Sequence, residues 1–219
     1  MENTTVTAQG RFYIYTRYER FWHWLQAALI IGLLLTGLEV HGSFTLFGFR
    51  RAVILHSALG ATWLVAFVFF VFWLATTGEW QQYVPTTKKM FEVMRYYAYG
   101  IFMGRPHPCP KSPEVKHNPL QRLTYLSLTT LLLPFMMITG LLYYGYHQWP
   151  ALGLGFLSLS LVAAFHLAGA FAVLVFLVVH VYMATTGHSP LTYFKAMITG
   201  WEDTGEAPRA DWEKRSACN

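Results

Sequence analysis

Four long stretches of apolar residues, separated by more polar segments, dominate the pattern of this chain. A helix needs about 20 consecutive, mostly apolar residues to cross the hydrocarbon core of a bilayer. The pattern therefore predicts four transmembrane helices, at about residues 21–40, 52–76, 123–146 and 154–185. We expect an all-α membrane protein, a four-transmembrane-helix bundle within residues 1–200. The loop 77–122 joins the second and third spans, and a polar tail follows over residues 201–219.

The composition agrees with a chain that is solvated by lipid. Hydrophobic residues make up 54% of it and charged residues only 12%, about half the charged share of a soluble domain. The net charge of +5 does not indicate nucleic acid, because the basic residues do not cluster on a soluble face. Two cysteines are too few for a cysteine-based metal cluster.

The positions of Lys and Arg predict the orientation. Three basic residues precede the first span, seven lie in the loop 77–122 and four follow the last span, which places fourteen of the sixteen on one side. The loops on the other side contain only Arg50 and Arg51. Because cytoplasmic loops carry the excess of Lys and Arg, we expect both termini to be cytoplasmic.

Four of the nine histidines fall inside the spans: His23, His56, His166 and His180. An ionisable residue at membrane depth is costly and by default functional. The alternative is that each imidazole only donates a hydrogen bond to a neighbouring helix. Four such residues at compatible depths favour a shared function.

The spacing of these histidines predicts two pairs. His166 and His180 are separated by fourteen residues, about 21 Å along a helix axis, and their side chains lie about 40° apart on one face. The fourth span thus offers two nitrogen ligands at two depths. Because successive spans run in opposite directions, His56 is expected at the same depth as His166, near the outer face. His23 is expected at the same depth as His180, near the inner face.

Two facing imidazoles make an axial pair for a haem iron and leave no open coordination position. We therefore predict two haem b groups, one for each pair. A structural zinc would need three or four ligands at one depth. Gly60 and Gly169 are expected to let a porphyrin approach the helices, and Arg20 and Arg51 are expected to neutralise haem propionates.

Three further histidines need an interpretation. His41 and His147 lie at the outer ends of the first and third spans and are the rivals of the outer pair. His107 lies in a proline-rich part of the loop 77–122, where we expect it to be solvated.

Several short motifs surround these residues. They are Arg20-Phe-Trp-His23-Trp, Ile54-Leu-His56-Ser-Ala-Leu-Gly60, Lys116-His-Asn118-Pro-Leu-Gln121-Arg-Leu, His166-Leu-Ala-Gly169 and His180-Val-Tyr-Met-Ala. In these motifs the chain resembles the dihaem cytochrome b membrane subunits of formate dehydrogenase, thiosulfate reductase and nickel–iron hydrogenase. The resemblance covers about residues 11–200.

The resemblance implies a bacterial cytoplasmic-membrane subunit that transfers electrons between a peripheral redox partner and the quinone pool. Its haem ligands fall on the four histidines with the same pairing. An iron–sulfur or multihaem subunit would dock on the outer face, and the whole complex could oligomerise. Menaquinone or ubiquinone would react beside the inner pair, bordered by Asn118 and Gln121, with His188 as a proton donor. Asn118 before Pro119 is alternatively a cap of the third span.

Two other functions remain open from the sequence. A free-standing superoxide:quinone oxidoreductase of the cytochrome b561 type would need a basic funnel for its anionic substrate. The outer loops offer only Arg50 and Arg51, with His41 and His147, for it. A transporter with histidine proton relays would need a polar stripe inside the membrane, and Glu39 is the only carboxylate within the predicted spans.

Overall fold

The computed structural model describes residues 11–105, 107–109, 116–187 and 189–203. Seven α-helices and two short strands occur in this part of the chain. They are β1 (Arg11–Tyr13), α1 (Arg17–Val40), α2 (Phe49–Thr77), α3 (Met90–Arg95), α4 (Pro119–Ser127), α5 (Leu133–Tyr144), α6 (Leu159–Ala184), α7 (Thr192–Thr199) and β2 (Trp201–Asp203).

Four helical stretches are long and apolar enough to cross a membrane, which confirms the predicted fold class. They are Arg17–Val40, Phe49–Thr77, Pro119–Tyr144 and Leu159–Ala184, with 24, 29, 26 and 26 residues. The last begins at Leu159 rather than at residue 154, because turns precede it: Gly153 has φ 72°, and the Leu157 N–H donates to the Leu154 carbonyl at 3.0 Å. The third begins before residue 123, because a cap at Asn118 allows polar residues into its first turn.

The ends of α1 follow from its sequence. The Thr16 hydroxyl accepts the Glu19 N–H at 3.2 Å, and the Glu19 carboxylate accepts the Thr16 N–H at 2.8 Å. This reciprocal pair is a capping box. At the other end, Gly42 has φ 89°, and the Gly42 and Ser43 N–H groups bond the carbonyls of Glu39 and Leu38. That pattern is a Schellman motif, which glycine favours because it adopts positive φ without strain.

The third span changes its helical form in the middle. A π-helical turn, Leu128–Leu132, joins α4 to α5, and Pro134 follows in the first turn of α5. Proline has no N–H to continue the α-helical ladder and its ring crowds the preceding turn. A π-turn before it is a usual accommodation inside a helix.

The chain divides into two compact units. The first takes the described residues of Met1–His23, Thr77–Ser127 and Val179–Asn219, and the second takes Trp24–Thr76 and Leu128–Val178. The second unit consists mainly of the spans. Large apolar side chains such as Phe69, Phe72 and Val65 are exposed on it, as lipid-facing positions require.

The first unit is built from helix ends and loops. Strands β1 and β2 pair antiparallel, with Phe12 opposite Glu202, and Phe12 is buried. Strand β2 therefore lies within the first three residues of the segment that the sequence assigned to the tail.

Candidate paired-histidine site

His56 of α2 and His166 of α6 face each other in the second unit. Their ring centroids are 6.2 Å apart and their planes are nearly perpendicular, at 87°. Both side chains are half-buried. The structure therefore brings together the two residues that the sequence paired at the outer depth.

His56 is held by a threonine and a glycine of α1. Thr36 Oγ1 lies 3.0 Å from His56 Nδ1, and Thr36 is buried. The next residue, Gly37, leaves room for the ring, since a methyl group there would lie 3.1 Å from His56 Cε1.

His166 is held in the same way by α5. Thr139 Oγ1 lies 3.0 Å from His166 Nδ1, and a methyl group at Gly140 would lie 3.2 Å from His166 Cε1. A Thr-Gly dipeptide thus contacts the same edge of each imidazole.

His23 of α1 and His180 of α6 face each other in the first unit. Their ring centroids are 6.0 Å apart, and their planes make an angle of 41°. Both side chains are half-buried. The second predicted pair is therefore also brought together.

The spacing within each pair fits one metal atom between two imidazoles. Imidazole nitrogens bind metals at about 2.0–2.1 Å, so two rings that share a metal have centroids about 6 Å apart. Both observed spacings match this value. Among the described residues, no three His, Cys, Asp or Glu side chains are grouped as a metal site, so the arrangement is two nitrogens per pair.

A family model for prokaryotic cytochrome b561 matches residues 14–200 of this chain. The chain belongs to the prokaryotic cytochrome b561 family. It is 33% identical over 199 residues to a "putative cytochrome YdhU" of Escherichia coli (strain K12), covering 87% of this chain and 74% of that protein. No solved structure matches the chain.

Relatives with a more specific name are also similar. A "probable Ni/Fe-hydrogenase B-type cytochrome subunit" of Rhizobium leguminosarum bv. viciae is 30% identical over 215 residues, covering 86% of this chain and 87% of that protein. A subunit with the same name from Bradyrhizobium diazoefficiens is 28% identical over 215 residues, covering 86% and 84%. Membership of this family makes the chain an integral membrane b-type cytochrome, and b-type haem is the group that the paired histidines fit.

The two rival histidines of this cytochrome contact other residues. His41 and His147 are exposed. His41 Nδ1 lies 3.4 Å from the Ser43 hydroxyl, and the His147 ring lies against its neighbour Tyr146 at 3.8 Å between centroids. The structure pairs His166 with His56 rather than with either of them.

The two glycines that the sequence selected for the porphyrin differ in their surroundings, and their approach to a porphyrin stays a prediction. A methyl group at Gly169 would clash with Met136 Sδ, so Gly169 permits close packing of α6 against α5. At Gly60 the nearest atom to such a methyl group is 4.0 Å away, in the side chain of Leu33. The glycines that contact the histidines are Gly37 and Gly140, which the sequence analysis did not select.

The arginines expected at the propionates differ in their contacts. Arg20 donates from Nη1 to the Ile198 carbonyl and from Nε to the Thr16 carbonyl, so it ties the start of α1 to α7. Arg51 is exposed at the start of α2. Their propionate contacts stay predictions.

Asn118 and Gln121 form a second capping box. The Asn118 N–H donates to Gln121 Oε1 at 3.0 Å, and the Gln121 N–H donates to Asn118 Oδ1 at 2.9 Å. Pro119 takes the first helical position, where its missing N–H costs nothing. The capping function that the sequence left open is therefore present, while the quinone contact stays a prediction. The third residue of that prediction, His188, lies outside the described residues.

His107 is not the solvated residue that its proline-rich surroundings suggested. It is half-buried, its Nδ1 accepts the Cys109 N–H at 3.0 Å and its Nε2 lies 3.1 Å from the Tyr97 hydroxyl. Asn118 Nδ2 donates to the same hydroxyl at 3.0 Å. His107 therefore belongs to the packing around the start of α4.

Proposed function

We propose that this cytochrome binds two haem b groups, one between His56 and His166 and one between His23 and His180, and transfers electrons between a catalytic partner and the quinone pool. The observation that carries the proposal is the pair of ring spacings near 6 Å. When bound, haem b supplies reversible one-electron chemistry. With one histidine on each side, such a haem would have no free position for a substrate, so the substrate chemistry of the complex would belong to the partner.

His166 and His180 of α6 each contribute to a different proposed haem site, and electrons would pass from one haem to the other. α6 is one continuous helix from Leu159 to Ala184, so His166 and His180 keep their fourteen-residue separation of about 21 Å along its axis. The histidines hold and orient the two groups at fixed depths.

The basic residues support the proposed orientation. With fourteen of sixteen Lys and Arg on one side, we place both termini in the cytoplasm of a bacterial cell, and the chain in its cytoplasmic membrane. His23 and His180 then lie at the cytoplasmic depth, and His56 and His166 at the outer depth.

We place the quinone site beside His23 and His180. Asn118 and Gln121 would border it, with their backbone held rigid by the capping box, and menaquinone or ubiquinone would be the substrate. His188 would supply protons to the quinone from the cytoplasm. Arg20 and Arg51 have a separate proposed function, which is to neutralise haem propionates. Support for the quinone residues comes from the family motif around Asn118.

The names of the relatives favour a partner complex over a free-standing enzyme. Hydrogenase B-type cytochrome subunits imply a catalytic complex bound to the cytochrome, here an iron–sulfur or multihaem subunit on the outer face. The family name alone also fits a superoxide:quinone oxidoreductase. That alternative lacks support in the outer loops, where only Arg50 and Arg51 are basic.

Quinol reduction of site variants tests the proposal. A short-chain quinol added to the purified protein should reduce haem, as followed by the α-band. His180→Ala should abolish this reduction, while the matched variant His56→Ala should leave the remaining haem reducible. Quinol reduction of His180→Ala at the wild-type rate would contradict the quinone assignment, and reduction by superoxide but not by quinol would favour the free-standing enzyme.

A further inference from the structure

The threonines that contact His56 and His166 have a defined hydrogen-bond direction. Thr36 Oγ1 donates its only proton within its own helix, to the Gly32 carbonyl at 2.7 Å and, at the longer distance of 3.3 Å, to the Leu33 carbonyl. Its lone pair is therefore what faces His56 Nδ1 at 3.0 Å, so the imidazole must donate. This contact requires the tautomer with hydrogen on Nδ1 and a lone pair on Nε2.

The same reasoning holds at the second histidine. Thr139 Oγ1 donates to the Phe135 carbonyl at 2.8 Å and, at the longer distance of 3.2 Å, to the Met136 carbonyl. The same oxygen lies 3.0 Å from His166 Nδ1. Both threonines are buried, at 3% and 6% exposure, so water does not replace these bonds. Both histidines thus present Nε2 as the metal-binding nitrogen.

Two other threonines in the spans do less than this. Thr62 and Thr76 donate to the Ala58 and Phe72 carbonyls of their own helix, each at 2.9 Å, and both are exposed. Such back-bonding is common in membrane helices. The histidine contact, repeated with a following glycine on two helices, distinguishes Thr36 and Thr139.

We propose that Thr36 and Thr139 are matched positioning residues that fix the tautomer and rotation of His56 and His166, the two histidines that would hold one haem, and so set its redox potential. A hydrogen bond from Nδ1–H raises the basicity of the metal-binding nitrogen. Stronger donation stabilises ferric more than ferrous iron and lowers the midpoint potential. The proposal rests on the haem assignment made above for His56 and His166.

The test is a potentiometric titration of the holoprotein, which resolves the two haems. Thr36→Val and Thr139→Val keep the side-chain shape and remove the hydroxyl. Each should raise the midpoint potential of the His56/His166 haem alone and weaken its retention roughly tenfold or more. The double variant should move it further, Thr36→Ser and Thr139→Ser should restore it, and Thr62→Val should move neither haem.

The outcomes separate this inference from the function on which it rests. Unchanged potentials in both valine variants, with both haems retained, would overturn the positioning assignment and leave the dihaem proposal intact. An equal shift of both haems would also overturn it, because a general loosening of the bundle would act in that way. A wild-type protein that holds no haem removable by His166→Ala would overturn the function as well.

Discussion

The two histidine pairs of this cytochrome are similar in spacing but are held by different parts of the chain. His56 and His166 are fixed inside the spans, by Thr-Gly dipeptides whose hydroxyls contact their Nδ1 atoms. His23 lies seven residues into α1, just after the capping box that starts this helix. One pair therefore depends on helix-to-helix contacts, and the other lies in the unit built from caps and loops.

The capping region of the first unit is also an ion-pair network. Lys116 Nζ lies 2.7 Å from Glu19 Oε1 and 3.8 Å from Glu79 Oε2. The side chains of Lys116 and Glu19 are only 12% and 17% exposed. Because the loop 77–122 supplies Lys116 and Glu79, this loop stabilises the end of α1 that carries His23.

The largest expected effect comes from filling the glycine space beside one pair. The larger side chain of Gly140→Val would overlap the space of the His166 ring, because a single methyl group would already lie 3.2 Å from Cε1. We expect loss of the His56/His166 haem and retention of the other, measured as the haem-to-protein ratio. Gly155→Val is the control, since nothing lies within 4 Å of a methyl group at that position. Equal loss in both variants would contradict a specific glycine cradle.

A smaller effect is expected from the ion pair of the first unit. Lys116→Met leaves the Glu19 carboxylate partly buried without its closest cation, which should cost about 1–3 kcal/mol of stability. The His23/His180 haem should be lost at a lower temperature, while the other haem is retained. Lys88→Met, at an exposed position of the same loop, is the control. Loss of both haems together would show that the pairs are not supported separately.

The smallest effect concerns pH and Tyr83. Burial, and then the charges of Glu19 and Glu79, raise the pKa of Tyr83 from 10.0 to about 12. The folded state thus keeps the phenol proton longer than the unfolded state, so this stability is complete below pH 10 and is lost between pH 10 and 12. Between pH 10 and pH 11 the wild type should therefore lose about 1 kcal/mol of unfolding free energy that Tyr83→Phe does not lose. Thermal unfolding of both proteins in detergent measures this difference. An unchanged pH dependence would contradict the burial of this phenol.

Hydrophobic length and the fourteen-residue histidine spacing were sufficient for the four spans and both pairs. The start of the third span was not predictable by hydropathy, because Gln121 and the buried Arg122 interrupt the apolar run. Their helix forms through the Asn118/Gln121 box, and Arg122 Nε donates to the His117 carbonyl at 3.2 Å. Capping decided that boundary.

The residues that contact the histidines were harder to predict from the sequence. A signal existed in the repeated tripeptides Thr36-Gly37-Leu38 and Thr139-Gly140-Leu141. Threonine and glycine are both frequent in membrane helices, where back-bonding and helix packing usually explain them. Only the three-dimensional structure distinguishes a glycine that admits a histidine ring from Gly169, which admits a neighbouring helix.

Haem stoichiometry in variants of α6 tests the central claim most directly. A pyridine haemochrome assay should give two haem b per wild-type chain, one in His166→Ala, one in His180→Ala and none in the double variant. His41→Ala should retain two, because this exposed residue lies outside both pairs. A single haem in the wild type would contradict the account. So would the loss of a haem in His41→Ala together with the retention of both haems in His56→Ala.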